Sequence, residues 1–277
     1  MAIGDVDAWW IVTVVLTIAG MVLNCIMIHI LRQNQKKKAY ETFLLSFSIG
    51  ELMMVPSQVT ITIYMVISTI HDFSTLLIIL IAITSLGLFS RLLSLHHLIA
   101  ISADRLWAVA SPLAHRVHVT GRKVTAVVVF CWLCPLLITL AYIAHVITTK
   151  LDTLVLKILA SGIIVTDVMF IICYGTIIVT VYRKKRSLGN TLDYQLKVFR
   201  LCVGTVMIFV ISSTPFVVVY ITEWNRPSWL VQLSGAMLPI NSIATSFLFL
   251  YQNHQSKRHN SNAATQTAHE TDNTTKV

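Results

Sequence analysis

The sequence predicts an all-α membrane protein: a bundle of seven transmembrane helices, with the N-terminus outside and the C-terminus cytoplasmic. Three observations carry this. Of 277 residues, 56% are hydrophobic and only 12% charged, about half the charged share usual in soluble domains. Apolar stretches recur at 9–32, 41–68, 75–107, 123–147, 154–182, 197–222 and 230–252. Each can cross a bilayer as a helix, which takes about 20 residues, and the weaker alternation of a membrane barrel is missing. Finally, the positive charge is one-sided. Lys36, Lys37, Lys38, Arg116, Arg122, Lys123, Arg183, Lys184, Lys185, Arg186, Lys257 and Arg258 fall in alternate connections or the tail. The other connections hold only Lys150 and Arg226 as bases, beside Asp5, Asp7, Asp72, Asp152 and Glu223. By the positive-inside rule this fixes the orientation, so the net charge of +9 is a topology signal rather than a nucleic-acid footprint.

Each element follows in order. The first span is preceded by no basic region or small-residue cleavage site and is expected to direct its own insertion; it contains Asn24. The second carries Glu51 near its middle, where a carboxylate is expected to be protonated or paired. The third carries Arg91 near the midplane and Asp104-Arg105 at its inner end. Charged residues in or beside spans default to a functional reading. Asp104 is expected to neutralise Arg105, since an unpaired guanidinium at that depth is costly. Arg91 is expected to meet Glu51, Asp167 or the anionic group of a ligand. His96 and His97 are adjacent, so they point to different faces and suit one metal poorly.

The fourth span holds Cys131-Trp132-Leu133-Cys134. With no second ligand pair, these cysteines read as small buried hydrophobes. All five cysteines, Cys25, Cys131, Cys134, Cys173 and Cys202, lie in spans, so no extracellular disulfide is expected. The fifth span carries Cys173-Tyr174, and the loop after it holds Leu188-Gly189-Asn190, a helix stop. The sixth carries Phe209 and Pro215, the proline expected to bend the helix. The seventh carries Asn241-Ser242. Residues 1–252 form the bundle, and 253–277, polar and poor in large apolar residues, form a disordered cytoplasmic tail.

These residues form an ordered set. Asn24, Leu45-Ser46-Phe47-Ser48-Ile49-Gly50-Glu51-Leu52, Asp104-Arg105-x6-Pro112-Leu113, Trp132, Tyr174, Phe209-x5-Pro215 and Asn241-Ser242 each match one span in sequence. The chain thus resembles the rhodopsin-like (class A) G protein-coupled receptors, as a divergent, orphan-like member. The resemblance implies that Arg105, freed from Asp104 when the sixth helix moves out, engages a heterotrimeric G protein. Pro112 and Leu113 would form the inner-loop plug, Tyr174 would swing toward Arg105, and Phe209 and Pro215 would serve the moving helix. It also implies a sodium ion at Glu51, Ser94, Asn241 and Ser242; the alternative is a hydrogen-bonded network, with Ser90 nearby, that holds no ion. The ligand pocket would include Gln58, Tyr64, Gly87, Arg91, Tyr220 and Trp224, with Trp229 beside them. Gly87 stands where amine receptors carry an aspartate, and the seventh span has no lysine for retinal.

The tail's Ser and Thr residues would, once phosphorylated by a receptor kinase, supply charge for arrestin. Thr275 and Val277 match the pattern bound by PDZ domains. Several family features are missing. Leu80 replaces the disulfide cysteine, Thr166 the fifth-helix proline, Leu106 the tyrosine of Asp-Arg-Tyr, Ser212-Ser213-Thr214-Pro215 the Cys-Trp-x-Pro switch, and Thr245-Ser246-Phe247-Leu248-Phe249 the Asn-Pro-x-x-Tyr motif. The missing disulfide, missing proline and short outer loop are similar to melanocortin and lipid-type receptors. The leading expectation is a plasma-membrane receptor for a small, lipid-like or peptide ligand. The alternatives are a seven-helix transporter, disfavoured because the internal repeats and broken helices of such proteins are missing from the sequence, and a binder that does not signal. No enzyme motif of the Gly-x-Ser-x-Gly or His-Glu-x-x-His kind occurs.

Overall fold

A computed structural model describes residues 3–33, 39–59, 73–149, 203–215 and 239–251, with single positions and pairs between 161 and 237. Tyr64, Asp167, Tyr174, Tyr220, Trp224, Trp229, Thr275 and Val277 lie outside the described residues, as does the rest of the tail.

Helix α1 spans Ile3–Gln33. Its apolar side chains Ile11, Val15, Ile18 and Val22 are exposed, whereas Thr13 and Thr17 are buried. The polar face turns inward because Thr17 Oγ1 donates to the Thr13 carbonyl at 2.7 Å and hides its own hydroxyl. That is the arrangement a bilayer favours, where unsatisfied polar groups cannot face lipid.

Helix α2 spans Ala39–Leu52. Pro56 has no N–H for the Leu52 carbonyl, and the ladder tightens there: Met53 N–H donates to the Gly50 carbonyl at 3.0 Å. Helical structure resumes to residue 59. The second span is therefore interrupted one turn before its proline.

Helix α3, Phe73–Ala110, is the most buried of the spans described from end to end. It packs against α2 and α5. The connection after it is itself helical. Helix α4, Pro112–His118, begins after Ser111 with proline in its first turn, where the missing N–H costs nothing. Helix α5, Gly121–Thr149, carries a buried Pro135 and is largely exposed apolar surface, including Phe130, Leu133 and Leu137.

Among the described residues, four helices are long and apolar enough to cross a membrane: Ile11–Gln33, Ala39–Val59, Ile81–Ala108 and Gly121–Thr148. They coincide with the first four expected spans. On the fifth, the described residues 161, 164, 165, 168, 171, 172, 175, 176 and 179 are helical and exposed. Helix α6 is Val203–Pro215 and helix α7 covers 239–251, within the sixth and seventh expected spans.

The apolar core gathers Met27, Leu31, Phe43, Leu44, Phe47, Leu95, Leu98, Ile101, Val124, Val206, Phe209 and Phe249. It ties α1, α2, α3, α5, α6 and α7 together in the half of the bundle nearer Arg105.

Candidate functional site

Two clusters lie along α3. The first surrounds Arg105. Arg105 and Asp104 are both buried, and a buried guanidinium is costly unless it is paired. Arg105 Nε donates to Asp104 Oδ2 at 3.0 Å, and Nη2 donates to the same oxygen. The other carboxylate oxygen, Oδ1, accepts from His115 Nε2 at 2.8 Å. His115 comes from α4 and is seated edge-on against Trp107, centroids 5.9 Å apart. From α2, the Tyr40 ring lies 4.6 Å beneath Arg105 Cζ, and the Tyr40 hydroxyl donates to Glu41 Oε1 at 3.2 Å. Arg105 is thus held by its neighbour on α3, which is braced from α4, and by an aromatic face from α2. Leu113 on α4 is 81% exposed and Val117 is 74% exposed.

The second cluster is a polar layer at mid-bundle. Glu51 is buried and accepts from Ser94 Oγ at 2.5 Å. Ser94 also approaches the Ser90 carbonyl at 3.0 Å. Ser242 hydrogen-bonds Glu51, and the Arg91 charge acts on the same carboxylate. Asn24 Nδ2 donates to the Gly20 carbonyl at 2.9 Å and to Ser242 Oγ at 2.7 Å. Ser90, Asn241, Thr245 and Ser246 bury polar side-chain atoms here that have no hydrogen-bond partner among the described residues, an unusual concentration for a protein interior. A cavity of about 20 Å³ opens between α1, α2 and α7, lined by Gly20, Glu51, Gln58, Pro239 and Ser242 among others; it has room for about one water.

Arg91 donates from Nη2 to Ser213 Oγ at 2.6 Å, and its Cζ sits 4.6 Å over the Phe209 ring; Asp167, one of its expected partners, lies outside the described residues. Ser213 and Phe209 both lie on α6. Gln58, in the helical segment that follows α2, and Gly87 of α3 lie on facing segments: a Cβ added at Gly87 would stand 3.8 Å from Ser57 Oγ.

A third network joins α2, α3 and α5. Trp132 Nε1 donates to Ser46 Oγ at 2.9 Å, and His97 Nε2 lies 2.8 Å from the same hydroxyl. His97 Nδ1 meets the Leu93 carbonyl at 2.8 Å, which only an N–H can do favourably. A neutral imidazole therefore carries its proton on Nδ1 and accepts from Ser46 at Nε2. His96 turns the other way, its Nδ1 bonded to the Leu92 carbonyl at 2.7 Å.

The sequence expected Asp104 to pair with Arg105, and Glu51 to join Ser94, Asn241 and Ser242; the fold pairs the first two and bonds Glu51 to Ser94 and Ser242, while the Asn241 amide has no hydrogen-bond partner among the described residues. The sequence missed Tyr40, Glu41 and His115 around Arg105, and the bonds from Arg91 to α6. Pro112 stands at the start of α4, and Pro215 follows Ser213 by two residues on α6.

No curated protein matches the chain. The sequence model of the 7 transmembrane receptor (rhodopsin family) matches residues 23–251, which covers both clusters and every helix from α2 to α7. The spans α1, α2, α3 and α5, with α6 and α7, are therefore parts of a seven-helix bundle, and the chain belongs to the rhodopsin family of G protein-coupled receptors, membrane proteins that signal through G proteins rather than enzymes.

Proposed function

We propose that this receptor lies in the plasma membrane with its N-terminus outside, binds a small, lipid-like or peptide ligand within the bundle, and activates a G protein when α6 moves outward. The observation that carries the reading is the restraint on Arg105. A buried arginine held by Asp104 and Tyr40, next to an exposed Leu113 on α4, is a cation that can be released beside a ready apolar contact. Asp104 holds the resting state, Pro112 starts the helix that presents Leu113, Phe209 and Pro215 belong to the moving helix, and Tyr174 meets the freed Arg105. Gln58, Tyr64, Gly87, Arg91, Tyr220 and Trp224 border the ligand. The tail, with Thr275 and Val277, recruits arrestin, a receptor kinase and a PDZ partner.

The polar layer fits a sodium ion poorly. Its oxygens are suitable, but Arg91 is buried one turn along α3 from Ser94, which binds Glu51, and a second cation would meet that charge in a low-dielectric interior. The reading preferred for Glu51, Ser94, Asn241 and Ser242 is a hydrogen-bonded network whose spare donors and acceptors re-pair as helices shift.

The test is basal activation of each of the four Gα classes in cells, comparing the intact chain with Arg105→Ala at matched surface expression. Signal from the intact chain that disappears in Arg105→Ala is expected. Signal that survives the substitution would overturn the role given to Arg105.

A further inference from the structure

Besides Arg105, α3 carries a second buried arginine, Arg91, which borders the ligand in the reading above and also reaches α6. Arg91 is 5% exposed. Its Nη2 donates to Ser213 Oγ at 2.6 Å, and its Cζ lies 4.6 Å over the Phe209 ring. Ser213 and Phe209 are four residues apart, so they share one face of α6. Ser213 Oγ also donates to the Phe209 carbonyl at 2.6 Å, which fixes the hydroxyl for its second bond. Both partners are fully buried. A charge-assisted hydrogen bond and a cation–π contact both strengthen when water is excluded.

The place on α6 matters as much as the strength. Pro215 follows two residues after Ser213 and has no N–H for the Ile211 carbonyl. Phe209 and Ser213 therefore straddle the point where the α6 ladder is already weakened. A grip here fixes the direction of the segment that runs toward the Arg105 end. One turn along α3, Ser94 binds Glu51 of α2 at 2.5 Å, so the α3 turn that grips α6 is itself anchored to α2. The tryptophan that the family places at position 213 is absent, and a serine of that size is what lets a guanidinium from α3 reach across.

We propose that Arg91 clamps α6 in its resting position by holding Ser213 and Phe209, and that loosening this clamp allows the outward swing. Arg91 is in this sense a positioning residue, acting through α6 rather than on a G protein. The inference deepens the G protein-coupling reading and rests on it for the consequence of release, though not for the clamp itself.

Two readouts separate them. Basal G protein activation and thermal unfolding of the purified full chain are measured for the parent, Arg91→Gln, Phe209→Leu and the double variant, with Arg105→Ala as reference. The clamp predicts that each single substitution raises basal signalling several-fold at matched surface expression, and that the double variant goes no higher than the larger single. Unchanged or lowered signalling in Arg91→Gln, or effects that multiply in the double variant, would overturn it. If the parent and Arg105→Ala signal alike, the coupling reading fails and the thermal midpoints decide the clamp alone. Losses that are non-additive between Arg91→Gln and Phe209→Leu support it, and additive losses reject it. Should Arg91→Gln not reach the surface, Ser213→Ala, which deletes one hydroxyl, takes its place in the same comparison.

Discussion

Tyr40 meets Arg105 through its ring face, not its hydroxyl, and this separates two variants that look alike. The ring lies 4.6 Å from Arg105 Cζ, while the hydroxyl is engaged with Glu41 at 3.2 Å. A cation over a desolvated aromatic face is worth about 1–2 kcal/mol, or roughly five- to thirty-fold in an equilibrium between held and released arginine. Tyr40→Leu should therefore raise basal G protein activation by about that range, and Tyr40→Phe, which keeps the ring, should stay near the parent. Equal effects from the two would show that the Glu41 bond, not the ring, restrains Arg105. The Asp104–Arg105 pair was legible in the sequence because the two residues are adjacent and sit at the end of a span. Tyr40 and His115 were not. Each reaches Arg105 or Asp104 only through the packing of α2 and α4 on α3, and neither residue type has a spacing that announces the contact. Arg91 was legible as an oddity, but its partners were not, because Ser213 read as a lost tryptophan rather than as an acceptor.

At the level of elements, α2 and α3 approach closely at Gly50. A Cβ on Gly50 would stand 2.7 Å from Leu93 Cδ2 and 3.2 Å from Cγ. Leu93 is fully buried, so its methyl has nowhere to retreat. Overpacking of this kind costs about 1–3 kcal/mol, against a gain of about 1 kcal/mol for alanine over glycine in a helix. Gly50→Ala should lower the thermal midpoint of the purified receptor. Gly121→Ala should hold it or raise it slightly, since nothing lies within 4 Å of a Cβ there. A Gly50→Ala protein as stable as the parent would mean that α2 and α3 are free to move apart. Span length and apolarity made α1, α3 and α5 readable almost to their ends. The break in α2 was harder, because Pro56 sits within a stretch that stays apolar on both sides. Helix α4 was missed: at seven residues it is too short for periodicity, and its one sign is Ser111-Pro112, which also served as a family motif.

For the molecule as a whole, the decisive asymmetry is between its two ends. Exposed surface along α1 and α5 is apolar, and the buried layer at mid-bundle is polar, so the bundle is arranged for lipid, and its fold does not depend on which end faces the cytoplasm. Charge decides that. Arg116, Arg122 and Lys123 lie at the Arg105 end, on α4 and the start of α5, Lys36, Lys37 and Lys38 fall in the sequence between α1 and α2, and basic connections of short length stay cytoplasmic. The seven spans and this bias were both visible in the sequence because each is a property of many residues at once, whereas the clusters along α3 depend on single contacts. The orientation carries the functional reading with it, since Arg105 and Leu113 can meet a G protein only from the cytoplasmic side. An epitope tag at the N-terminus should bind antibody on intact cells, and a tag at the C-terminus only after permeabilisation. The opposite pattern would put Arg105 outside the cell, and both the G protein role of Arg105 and the signalling consequence of the Arg91 clamp would fall together, leaving the clamp as a purely structural contact.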